Sequence, residues 1–176
     1  QPAGYYRHLN FPQREYQHHV DDRQWRRGVY VHWQRQFLHP MLRAFDAPSR
    51  EECTVERPRS NTSLAALALL NDPSFVEAAR ALAARILAEP EPSIDARLDF
   101  VFRQAVSRTP NDAERQALVA LFSQADEYYS REPATADALL AVGQWPVPAD
   151  LDRVELAAWT TVARAVLNMN ETLTRN

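Results

Sequence analysis

Apolar residues after position 60 recur at intervals of three and four, and only three of the 176 residues are glycine. This interval places side chains on one face of a helix, whereas a strand requires an interval of two. Alanine and leucine, both good helix formers, are abundant. We therefore predict an all-α fold: an irregular helical bundle of about five to seven helices with an extended N-terminal arm.

The chain is long enough for one domain with its own core. Its 45% hydrophobic and 24% charged residues are typical of a globular protein rather than a disordered one. Residues 1–22 show no clean period and are predicted to form the arm, while residues 23–176 form a single helical domain. No apolar run approaches the roughly 20 residues that span a bilayer, and the N-terminus, without Met or a signal-peptide pattern, suggests a mature fragment or part of a longer chain.

Capping residues predict where several helices begin. Three such starts are Asp72 before Pro73, Thr109 before Pro110 with Asp112 as the acid of a capping box, and Asp152 with Glu155. Upstream, the segment DRQWRRGVYVHWQRQFLHPMLRAF (residues 22–45) is predicted to be a helix that stops at His39, because a residue before proline is pushed out of the helical region.

The segment RPRSNTSLAALALLNDP, residues 57–73, contains a run from Leu64 to Leu70 in which every residue is Leu or Ala. A helix that is apolar all round is predicted to lie in the centre of the bundle. Asn61 and its two successors offer oxygen acceptors for the free N–H groups at its start. Arg57 and Arg59 are donors only, so they are expected to bind carbonyl groups, acids or an external anion instead.

Two motifs carry a resemblance to a known family: FDAPSREECT at residues 45–54 and RPRSNTSLAALALLND at residues 57–72. From about Tyr5 to Asn176 the chain resembles the planctomycete-specific C-terminal domain that accompanies planctomycete-type cytochrome c domains, a domain of unknown function. The resemblance implies a large, exported, multidomain protein located in the periplasm or outside the cell. It also implies haem c on other domains and no agreed catalytic residues in this one.

Residues 1–60 contain ten arginines and seven acids, a net charge of +3, while residues 61–176 contain ten arginines and sixteen acids, a net charge of −6. This asymmetry favours docking on a partner but is too weak to indicate nucleic-acid binding. Our first hypothesis is a non-catalytic module that serves inter-domain docking or assembly with other domains or chains of the same protein. The alternative is an enzyme or carbohydrate-binding unit that grips an anionic substrate, such as an acidic carbohydrate, through the loop of Arg57, Arg59 and Asn61. The candidate anion-binding or partner-binding residues are Arg26, Arg27, Arg57, Arg59, Asn61 and Trp145, the last because its proline-bounded loop favours an exposed ring.

Cys53 is the only cysteine, which excludes an internal disulfide, a thiolate zinc cluster and the C-x-x-C-H signature of covalent haem attachment. We therefore predict no cofactor in this chain and expect Cys53 to be a buried structural thiol. His32 and His39 share a predicted helix face, but no third ligand completes a metal site, and no catalytic residue is predicted.

Overall fold

The computed structural model describes residues 19, 21–31, 33, 38–49, 51–56, 62–90 and 93–173. These residues form eight α-helices and two short 3-10 helices, with no strand among them. The predicted all-α class is confirmed, and six of the helices have eight residues or more. The bounds are α1 Pro40–Ala44, α2 Ser63–Asn71, α3 Pro73–Leu87, α4 Ile94–Val106, α5 Asp112–Arg131, α6 Pro133–Leu140, α7 Arg153–Leu167 and α8 Asn170–Leu173.

The chain divides into two compact units, Gln1–Ala65 and Ala66–Asn176. Almost all of the predicted arm, residues 1–22, lies outside the described residues. The division into an arm and a domain over residues 23–176 therefore stays a prediction.

In the second unit, α7 is the helix around which the others pack, with α3 and α5 as its main neighbours. The interval of three and four residues seen after position 60 recurs in the buried residues of α3 and α4, whereas α7 is buried on all sides from Leu156 to Thr160. The largest fully buried side chain is Trp159 on α7, whose ring centroid lies 4.8 Å from that of Phe122 on α5. Helical periodicity thus located the core of this unit correctly.

The predicted helix starts hold at two positions and fail at one. The carboxylates of Asp72 and Asp152 accept hydrogen bonds from the first turns of α3 and α7. The start predicted at Thr109 is wrong, because Asn111 caps α5: its side chain accepts from the Glu114 N–H at 2.9 Å, and the Glu114 carboxylate accepts from the Asn111 N–H at 2.8 Å. A capping box needs a side chain as long as Glu at its third position, and Asp112 is too short.

The expectation that the helix of residues 64–70 is buried on all sides is also wrong. Ala65 and Leu69 are buried, but Leu64 and Leu67 are exposed on α2. The hydroxyl of Thr62 caps this helix by accepting from the Ala65 N–H at 3.2 Å. An apolar sequence makes every face suitable for burial, but tertiary packing decides which face is covered.

The helix predicted over residues 22–39 does not form in the residues that the structure describes. Asp22–Trp25 and Gly28–Tyr30 are single 3-10 turns, and Arg26 and Arg27 between them have extended ψ values of 146° and 147°. Glycine and the β-branched Val29 and Val31 weaken helix formation here. Pro40 begins α1 instead of ending a helix, since the Nδ1 atom of His39 accepts from the Met41 N–H at 3.2 Å.

Candidate functional site

The loop between α6 and α7 is fastened to α3 by two buried charged side chains that the sequence did not single out. Glu77 and Arg80 are only 3% and 4% exposed. Because they are three residues apart, they lie on the same face of α3. The sequence shows these two opposite charges beside the apolar residues of α3. Charged side chains usually lie at the surface. Only the tertiary structure therefore shows that Glu77 and Arg80 are buried and which groups they bind.

Glu77 binds the loop through backbone N–H groups. Its Oε2 atom accepts from the N–H of Gln144 and, at 3.1 Å, from that of Trp145. The residue before them, Gly143, has a φ of +96°, which L side chains rarely adopt. A Cβ at Gly143 would meet the Glu77 carboxylate and would lie 2.8 Å from the Glu77 Cβ. Glycine is therefore required here both by its backbone conformation and by the close approach of Glu77.

The Arg80 guanidinium binds backbone carbonyl groups at the end of α6 and in the same loop. One terminal guanidinium nitrogen donates to the Leu140 carbonyl and the other donates to the Trp145 carbonyl. Leu140 is the last residue of α6, where carbonyl groups have no partner within the helix. Burial lowers the pKa of Arg80, and the nearby Glu77 carboxylate opposes this shift. The guanidinium remains charged, because arginine is not deprotonated in proteins.

These contacts hold the backbone of Trp145 at both its N–H and its carbonyl, while 57% of the residue is exposed to solvent. The exposure predicted for Trp145 is thus confirmed. A large aromatic ring on a fixed backbone can bury apolar area on a partner at a low entropy cost. The exposed Trp145 ring on its hydrogen-bonded backbone is therefore a candidate contact for a partner.

Comparison with known families places residues 2–122 in one family, described as PSD1, protein of unknown function (DUF1553). The chain belongs to the PSD1 family. The matched residues include Glu77 and Arg80 but end before the loop that these two side chains hold. No significant match was found among curated proteins or solved structures.

The other candidate binding residues of this PSD1 chain are in its first unit. Arg26 and Arg27 are exposed, and among the described residues neither side chain has an ion pair or a hydrogen bond. Arg57, Arg59 and Asn61 lie outside the described residues. An anion-binding role for that loop therefore stays a prediction.

In the second unit of the PSD1 chain, every described arginine has an acceptor or a carboxylate partner within the unit. Arg108 joins three elements: its guanidinium lies 2.7 Å from the carboxylates of Glu114 and Glu171. Arg108 lowers the pKa of Glu114 to about 2. The remaining arginine partners are Gln104 for Arg85, Glu155 for Arg97, Asp99 for Arg103, Asp95 and Asp99 for Arg115, Glu127 for Arg131, Asp137 for Arg153 and the Leu70 carbonyl for Arg164. These guanidiniums thus bind within their own unit.

The expectation that Cys53 is buried is wrong, because this thiol is exposed in the PSD1 chain. Its surrounding segment, residues 51–56, forms no helix and packs none of its residues away from solvent. In the part of the chain that the structure describes, no three His, Cys, Asp or Glu side chains are grouped so as to hold a metal ion. Nor is any helix of those residues long and apolar enough to cross a membrane.

Proposed function

We propose that this chain is a non-catalytic helical module that docks onto another domain or chain of the same protein assembly. The exposed ring of Trp145 on its fastened backbone carries this proposal. Tryptophan is the residue type most enriched among side chains that dominate binding energy. Holding it in place before binding removes part of the entropy cost of association.

The proposed context is a multidomain cytochrome-type protein of planctomycete origin, exported to the periplasm or beyond the cell. The motifs at residues 45–54 and 57–72 support this context through their resemblance to the C-terminal domain of such proteins. In this proposal the haem c groups are bound by other domains, because covalent haem attachment needs two cysteines and this chain has one. Every described arginine of the second unit already has a partner within that unit, which favours docking over substrate binding.

Hydroxyl-radical footprinting tests the docking role. The native protein, purified with the domains and subunits that it carries, is compared with the isolated chain. We expect Trp145 to be oxidised rapidly in the isolated chain and at least about fivefold more slowly in the native protein, since docking covers the ring.

Tyr128 is the matched control, because it is an aromatic residue with a similar exposure, 53%, on the regular helix α5. Its oxidation rate should be the same in both samples. If Trp145 is oxidised equally fast in the native protein and in the isolated chain, the proposed docking role is wrong.

A further inference from the structure

The first unit presents a cationic aromatic surface made of residues 25–30, which we call the 25–30 patch. Its sequence is Trp-Arg-Arg-Gly-Val-Tyr, and each of these six residues is exposed. Arg26 and Arg27 have no carboxylate partner among the described residues, unlike Arg23, which forms a 2.7 Å ion pair with Asp21. The patch therefore combines exposed apolar area with two uncompensated positive charges.

The second unit presents a surface of opposite character, the loop of residues 141–152, which we call the Trp145 loop. Apart from Trp145 it contains the exposed acids Asp150 and Asp152, and it contains no basic residue. Guanidinium groups are attracted to the face of an indole ring, and arginine is the commonest cation in such contacts. A partner for this loop should thus carry arginine beside aromatic side chains.

We propose that the Trp145 loop of one copy of this chain binds the 25–30 patch of a second copy. Arg26 or Arg27 of the second copy would lie over the Trp145 ring, and Asp150 and Asp152 would face the remaining positive charge. The opposite net charges of the two parts of the sequence, +3 over residues 1–60 and −6 over residues 61–176, favour the same pairing. This inference rests on the proposed docking role of Trp145 and names the partner.

The contact joins two different surfaces, so it is heterologous. In a bound pair, one copy keeps an unused patch and the other keeps an unused Trp145 loop, so further copies can add until a ring closes. The contact is small and its charges are exposed, so association should be weak and should weaken further as salt screens the charges.

Sedimentation velocity over about 10 µM to 1 mM protein, at low and high salt, tests the inference. We expect the average mass to rise with concentration at low salt. The variants W145A and R26E/R27E should each weaken association at least about threefold, the scale of losing one exposed cation–π contact. The control variant Y128A should associate as the parent does.

Mixing the two weakened variants gives the sharper result. W145A still has an intact patch and R26E/R27E still has an intact Trp145 loop, so the mixture should form one-to-one complexes and nothing larger. A chain that stays monomeric at every concentration, or a mixture that fails to form this complex, would overturn the inference. If the chain is monomeric while Trp145 is protected from oxidation in the native protein, the partner is a different domain: the second-copy inference is then wrong and the docking role stands.

Discussion

Replacing Gly143 with alanine should disrupt the hydrogen bonds that hold the Trp145 loop to Glu77 and should lower the free energy of unfolding. Alanine at a φ of +96° is in a sparsely populated conformation, which costs about 1–3 kcal/mol. The new Cβ would also lie 2.8 Å from the Glu77 Cβ and 2.9 Å from its carboxylate carbon. The Glu77 Cβ is bonded to the α3 backbone, so a rotation of the Glu77 side chain cannot relieve this overlap, and the overpacking costs about 1–3 kcal/mol.

The two costs together predict a loss of about 2–6 kcal/mol in the free energy of unfolding. At about 2–4 °C per kcal/mol for a chain of this size, the Tm should fall by at least about 4 °C. Gly28→Ala is the control, since its Cβ would meet only the end of the Leu42 side chain at 3.3 Å and its φ is not in the left-handed region. That variant should change the free energy of unfolding by less than about 1 kcal/mol.

Urea denaturation followed by circular dichroism measures both losses, and amide hydrogen exchange shows where Gly143→Ala acts. The N–H groups of Gln144 and Trp145 should exchange faster in this variant, because Glu77 can no longer accept from both. Equal stability of the two alanine variants, together with unchanged exchange at these amides, would refute the reasoning.

Trp159→Ala removes a fully buried side chain and should lower the free energy of unfolding, measured by urea denaturation, by about 3–5 kcal/mol. Trp145→Ala should change it by less than about 0.5 kcal/mol, because Trp145 is exposed. Similar losses in the two variants would contradict the burial of Trp159. The ion pair of Glu114 with Arg108 stabilises the fold above the ordinary carboxyl pKa, and this contribution is lost as the pH falls from about 5 to about 2. Glu114→Gln should therefore show a smaller fall in Tm than the parent over that range, and parallel curves would refute the assignment. Cys53 should react with a thiol reagent in the folded chain as fast as in urea, and slow labelling of the folded chain would show that it is buried.

The sequence predicted the helices of the second unit well because their signals are local. Periodic apolar residues define the buried faces of α3 and α4, and Asp72 and Asp152 are correct N-caps. The error at the start of α5 was also local: Asn111 with Glu114 satisfies the capping rule better than Thr109 with Asp112.

The same approach failed upstream, where aromatic and arginine residues between positions 22 and 39 suggested a helix. The structure instead has extended backbone at Arg26 and Arg27 and begins α1 at Pro40. Propensity is a weak preference, and a segment with glycine and β-branched residues takes the conformation that its surroundings stabilise.

The sequence by itself determined the helical class, the starts of α3 and α7, and the exposure of Trp145 in its proline-bounded loop. The tertiary structure alone decided which face of α2 is covered, and that Glu77 and Arg80 turn inward to fasten a loop more than 60 residues away. Helical periodicity reports contacts three or four residues apart, but a buried carboxylate is stable only where distant N–H groups converge on it. That convergence depends on how α3 packs beside the end of α6, which no local pattern encodes.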